Sequence, residues 1–199
     1  MRGWIVFPIV AGLLLAACSS PPAEKMTTVR EAMDRAAQVE ADVYAPDAWS
    51  QANGALTGAE EELARQGARL SLFRSYGDAG SLLDDALAGA EKAYKRSVER
   101  RREMTAEVGS TLRDLRGDLN LADELLSDLG KCRALMGSKA LESLAGELWG
   151  LRSAFDEIEV DLAEGDVFTA WTSSRYVTEE SERFLEEVDE LAEKSGCKT

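Results

Sequence analysis

From Val29 to Leu191 the apolar side chains recur at steps of three and four residues, and this periodicity restricts the chain to packed helices. At 3.6 residues per turn such spacing draws one apolar stripe along a helix, which must be buried against another stripe. No alternating apolar run of strand length interrupts it, so the expected β content is close to nil.

The stripes divide at turn signals. Val29, Met33, Ala36 and Val43 outline a first helix, ended by Tyr44-Ala45-Pro46. Pro46 disfavours helix at Ala45 and suits the first turn of the next one. Trp49, Ala52, Leu56, Ala59, Leu63, Leu70 and Phe73 line a second helix, which Gly77 stops. Asp78 is a good N-cap for a third. Its seam reads Leu83, Leu87, Ala90, Tyr94, weakens through Ser97 and Arg101, and resumes at Met104, Val108, Leu112, Leu115, Leu119, Ala122, Leu126 and Leu129. Unbroken, that helix would measure about 78 Å at 1.5 Å per residue. The uneven spacing around Val108 is a stutter that favours a bend near Arg100–Gly109. Gly130 to Gly137 reads as a loop. Ser138 caps a fourth helix carrying Leu141, Leu144, Leu148, Leu151, Phe155, Ile158 and Leu162. Gly165 ends it, and Asp166 caps a fifth with Val167, Ala170, Trp171, Val177, Phe184, Val188 and Leu191.

The fold class is therefore all-α: an elongated antiparallel bundle of about five long helices. A second description is two repeated three-helix units sharing one long central helix. A shift of 88 residues pairs Ala52 with Ala140, Leu56 with Leu144, Leu63 with Leu151, Leu70 with Ile158, Gly77-Asp78 with Gly165-Asp166, Met33 with Leu121 and Ala37 with Leu125. A tetratricopeptide array is excluded by the length of the helices and the missing 34-residue period.

The body is preceded by an address. Arg2 is followed by an apolar run from Trp4 to Leu15, too short to span a bilayer but long enough for a signal peptide. Leu15-Ala16-Ala17-Cys18 resembles the bacterial lipobox, in which the cysteine thiol takes a diacylglyceryl group and small residues before it admit the signal peptidase. The resemblance implies removal of residues 1–17 and lipidation at Cys18. Ser19-Ser20-Pro21-Pro22 opens a polar tether over 18–26, followed by a first helical unit over 27–105 and a second over 106–199. By analogy with Gram-negative sorting, Ser19 after the lipidated residue implies the outer membrane, facing the periplasm.

Charge and composition narrow the function. The mature chain carries 22 basic against 37 acidic side chains, a net −15 once Arg2 leaves with the signal. That excess argues against nucleic-acid binding, and its repulsion from anionic headgroups implies that the lipid rather than the protein surface holds the chain to the membrane. With no histidine, His-dependent triads, His–Cys pairs and most zinc sites are excluded, and no catalytic residue, metal ligand set or cofactor is expected. With Cys18 lipidated, Cys132 and Cys197 form an even pair in an oxidising compartment; an antiparallel helix four–helix five hairpin would bring them together as a staple. Lys92, Lys95, Arg96, Arg100, Arg101 and Arg102 form the one basic cluster. It reads either as a docking patch for an acidic partner or, as charge runs more often are, as a solvated face balanced by acidic helices. Glu179-Glu180, Glu186-Glu187 and Asp189-Glu190 lack the loop spacing and glycine of a calcium site. Trp49, Trp149, Trp171, Tyr76 and Tyr176 are expected to pack rather than to cage a ligand.

A second resemblance rests on Tyr44-Ala45-Pro46-Asp47-Ala48-Trp49, on Gly77-Asp78 and on the alanines at 86, 90 and 93. Together they look like the helical module of envelope lipoproteins carrying the domain of unknown function 4398, over about residues 28–105. That family implies a helical envelope module and supplies no established activity. The functional expectation is a non-catalytic, membrane-anchored scaffold or adaptor that meets an envelope protein partner. The alternative is a carrier or chaperone-like module holding lipid or unfolded client between helices.

Overall fold

A computed structural model describes residues 20–197 of the chain. Its first helix, α1 (Ala23–Gln38), starts directly after Pro22, so the tether reaches only to that proline and not to residue 26. Ala23 and Glu24 favour a first helical turn, and the acidic side chain complements its positive end. A break at Val39 and Glu40, the latter left-handed at φ 54°, separates α1 from the single turn α2 (Ala41–Tyr44). This break turns Val43 out to solvent, contrary to its expected place in the first stripe. Pro46 then occupies the first turn of α3 (Pro46–Gly67).

The second stripe ends earlier than its spacing predicts. At the end of α3 the buried Gln66 accepts the Ser75 amide at 3.0 Å, and Arg74 donates to the carbonyls of Gly67 and Arg69, each at 3.0 Å. These bonds satisfy the helix end and draw the chain into a loop with one 3₁₀ turn at Ser71–Phe73. Leu70 and Phe73, expected on the buried face of a longer helix, are exposed.

The central helix α4 (Gly77–Lys131) runs 55 residues without interruption, about 82 Å. It starts one residue before its expected cap, and Asp78 lies in its first turn, where its charge still complements the positive end of the helix dipole. α5 (Lys139–Glu164) and α6 (Val167–Ser195) follow, capped as the sequence predicts. Ser138 Oγ accepts the Leu141 amide at 3.2 Å, and Asp166 accepts that of Thr169 at 3.1 Å. Gly165 and Gly196 close the two helices with φ 88° and 66°. Among the described residues there is no strand, and no helix is long and apolar enough to cross a membrane.

Contacts fix the directions. Lys25 at the start of α1 pairs with Asp84 at 2.7 Å, and Ala36 near its end shares a cluster with Ala93, so α1 runs parallel to α4. α3 runs back along α4, with Ala48 beside Ala93 and Ala59 beside Leu83. On the second half of α4, Arg116 pairs with Glu159 and Arg152 with Asp123, so α5 is antiparallel. The α6 indole of Trp171 meets Glu107, and its far end meets Cys132, so α6 is parallel. Each half is an up-down-up trio sharing α4.

The two trios pack differently. The first buries small side chains, Ala32, Ala36, Ala48, Ala52, Ala59, Ala86, Ala90 and Ala93, and so brings its helices close. Its seam on α4 follows Ala79, Leu83, Ala86, Ala90, Ala93 and Ser97; Leu87 is half-buried and Tyr94 exposed, against expectation. The second trio buries Leu112, Leu115, Leu119, Leu148, Phe155, Ile158, Val177, Phe184 and Val188. Residue pairing at a shift of 88 therefore fails in detail. Ala52 is buried and Ala140 exposed, Leu70 exposed and Ile158 buried, Met33 buried and Leu121 exposed. The trios share a path of the chain, not a register.

Candidate functional site

The two trios meet around Trp171 on the first turns of α6. Met104 from α4, Tyr44 from α2 and Val167 from α6 form a small buried cluster, with Leu162 and Trp171 packed against it. Two cations lie over the indole: the Arg100 guanidinium is 5.5 Å from its ring centroid and that of Arg175 is 4.9 Å. Its N–H donates to Glu107 at 2.8 Å. Arg101 reaches the other way and donates to the Gly165 carbonyl at 2.8 Å, satisfying the end of α5. Burial pushes the Tyr44 phenol above its ordinary pKa, and the Glu40 charge adds to this; Arg101 and the Phe168 amide oppose it.

The expected basic cluster is thereby divided. Arg100 and Arg101 flank the buried seam and tie α4 to α6 and to the end of α5. Lys92, Lys95, Arg96 and Arg102 are exposed and make no ion pair with any described residue. Helical periodicity sets Lys95 and Arg102 opposite the seam of Ala93, Ser97 and Met104, with Lys92 and Arg96 on its flank, Lys92 beside the α3–α4 groove. Four unpaired cations there form the surface to which an acidic partner could be drawn, in a molecule that is otherwise acidic.

Cys132, one residue past α4, and Cys197, after α6, are joined: their sulfurs are 1.99 Å apart and their Cα atoms 6.0 Å. The staple closes the open end of the second trio. Cys18 lies outside the described residues.

No cluster of three metal-ligating side chains occurs among the described residues. Of the acidic pairs on α6, Glu180 is engaged by Arg183, and Lys194 at 2.6 Å holds the Glu190 carboxyl below its usual range. The groove between α4 and α6 is lined by Asp114, Asp118, Glu179 and Glu182 in the open, beside Arg175. A groove between α4 and α5, about 500 Å³, is more apolar, with Leu126, Leu141, Leu148 and Trp149 rimmed by the Asp123–Arg152 pair. Tyr76 is buried, and Trp49 and Trp171 half-buried, as packing residues; Trp149 and Tyr176 stand exposed, at 74% and 64%, because they occupy outward turns of α5 and α6.

No family model, curated protein or solved structure matches this chain.

The Trp171 cradle escapes a reading by periodicity. Trp171 and Arg175 are four residues apart on α6, which is a visible signal. Arg100 and Glu107 come from a helix 64 or more residues away, and only the parallel packing of α6 on α4 brings them there.

Proposed function

We propose that this protein is a lipid-anchored scaffold or adaptor of the bacterial envelope, without catalytic activity. Cys18 carries the lipid; the outer membrane, on its periplasmic side, is its place. Residues 28–105 form the module that resembles the domain of unknown function 4398. The observation that carries this reading is geometric: Ala23, five residues after the proposed lipidation site, begins level with the start of an 82 Å helix, about 1.5 Å per residue. A tether at one pole of a rod holds the other pole, and the exposed cations midway along α4, at reach from the membrane. Lys92, Lys95, Arg96 and Arg102 are the docking residues for an acidic envelope protein.

Two measurements test it. Cys18→Ser moves the protein from the membrane to the soluble fraction of lysed cells; retention in the membrane refutes the anchor. Crosslinking in intact envelopes, followed by mass spectrometry, identifies a protein partner whose capture falls at least about tenfold when the four cations become glutamine, a loss of about 1.4 kcal/mol. Unchanged capture refutes the docking face.

A carrier reading has one observation in its favour, the apolar α4–α5 groove beside Trp149. A change in Trp149 fluorescence on titration with a fatty acid would support it over the scaffold.

A further inference from the structure

The loop between α3 and α4, Ala68 to Tyr76, holds three large apolar side chains out of the fold. Leu70, Leu72 and Phe73 are 74%, 83% and 68% exposed. The buried positions at the end of α3 are held instead by polar side chains. Gln66 and Glu62 are buried there, bonded to each other at 2.6 Å, and Gln66 also accepts the Ser75 amide. Arg74 fastens the loop to the end of α3 through two carbonyls. The apolar side chains are thus presented on a braced platform. Apolar groups of this size left in water are a standing drive toward any apolar phase that can take them up.

The same pole is where the chain emerges from the direction of Cys18. Lys25 pairs with Asp84 and donates to the Gly80 carbonyl at 3.4 Å, so the starts of α1 and α4 are level, and the loop lies immediately before α4. Five residues separate Cys18 from Ala23, a span of at most about 18 Å when fully extended. A lipid on Cys18 therefore keeps the start of α1, and the loop at the same pole, near the bilayer surface, within about the length of that tether. The loop also departs from the charge of the body. Residues 68–76 include Arg69 and Arg74 and no acidic side chain, in a chain with 37 of them. Leucine and phenylalanine flanked by arginines suit the interface, where the apolar groups enter the acyl region and guanidinium groups stay with the phosphates.

We propose that Leu70, Leu72 and Phe73 insert into the phospholipid surface as a second point of attachment, with Arg69 beside the lipid phosphates and Arg74 bracing the loop, setting the rod upright on the membrane. The proposal rests on the reading of Cys18 as the lipid anchor. One lipid tether lets a rod tumble; a second contact at the same pole orients it.

The test uses the full lipidated chain in vesicles of phosphatidylethanolamine and phosphatidylglycerol. With Cys18 lipidated and Cys132 bonded to Cys197, Leu72→Cys and Met136→Cys each introduce one reactive thiol for a nitroxide label. Met136 is an exposed apolar residue in the loop at the opposite pole of α4, which makes it the control. The expected result is a label at 72 several-fold more accessible to oxygen than to a water-soluble nickel chelate, and the reverse at 136. A label at 72 in water, or shielded from both reagents as in a protein contact, overturns the insertion while the lipid on Cys18, read from the mass of the mature N-terminus, still stands. A mass without that lipid refutes the anchor and, with it, the insertion.

Discussion

Gly89 on α4 faces Ala52 on α3 so closely that a Cβ on it would lie 3.0 Å from the Ala52 Cβ and 3.1 Å from its Cα. The second contact is backbone, which no rotamer change can relieve. Gly89→Ala gains up to about 1 kcal/mol of helix propensity, but pushes α3 off α4 at an overpacking cost of about 1–3 kcal/mol. The expected net effect is a loss of about 1 kcal/mol in urea unfolding. Gly54→Ala and Gly117→Ala, at helical sites with nothing within 4 Å of the new carbon, are the controls. Each should gain about 0.5–1 kcal/mol. A stabilised Gly89→Ala would show that the two helices are not held at this distance. Tyr44 gives a second residue-scale prediction. Its phenol is held above the ordinary value by burial first, so the unfolded chain loses that proton before the native state does. The stability tied to this shift is intact below about pH 10, the unfolded value, and is lost as pH rises through the native one. Tyr44→Phe should therefore flatten the fall of the urea midpoint above about pH 10. Equal slopes for the two proteins would contradict the shift.

Among the elements, α5 and α6 were the most legible in advance. Ser138, Gly165 and Asp166 are local signals, and a cap acts on the amides two or three residues away whatever the rest of the chain does. The end of α3 was not legible, because Leu70 and Phe73 continue the stripe in phase. What ended the helix was a non-local bond, from the Ser75 amide to a buried Gln66 side chain, nine residues apart. The seam on the first half of α4 was misplaced for a related reason. Leu87 and Tyr94 are larger than Ala86 and Ala93, yet helices in close approach bury the smaller residues and leave the larger ones at the margin. The staple between Cys132 and Cys197 followed from the hairpin alone, and it carries the element-scale prediction. Closing the 65-residue separation stabilises by about 4 kcal/mol in the chain-entropy model. Cys132→Ser with Cys197→Ser should lower the stability of the second trio by that order, and hydrogen exchange should rise in α5 and α6 with little change in α1 and α3. A uniform rise across all helices would mean that the trios unfold as one unit.

At the scale of the whole molecule, α4 sets the length. Two trios strung on one helix of 55 residues require a maximum dimension of at least about 80 Å in small-angle scattering, at 1.5 Å per residue. A value below that would mean that the helix is broken in solution at its weak seam near Ser97 and Arg101. The basic cluster belongs to this scale too. In the sequence its six cations are equivalent, but the meeting of the trios gives Arg100 to Trp171 and Arg101 to Gly165, and leaves four to solvent. The placement of Leu70, Leu72 and Phe73 beside the start of α1 likewise needs the parallel packing of α1 on α4. By itself the sequence determined the all-α class, the order of the long helices, the caps of α5 and α6, and the pairing of two cysteines across a hairpin. Each of these rests on periodicity, on short-range bonds, or on the return of one helix along its neighbour. Tertiary structure alone decided where α3 stops, which face of α4 is buried against small residues, which arginines become struts, and which pole displays an apolar loop. The end of α3 turns on a bond across nine residues and the other outcomes on side chains tens of residues apart competing for the same space, and no local pattern encodes which of them prevails.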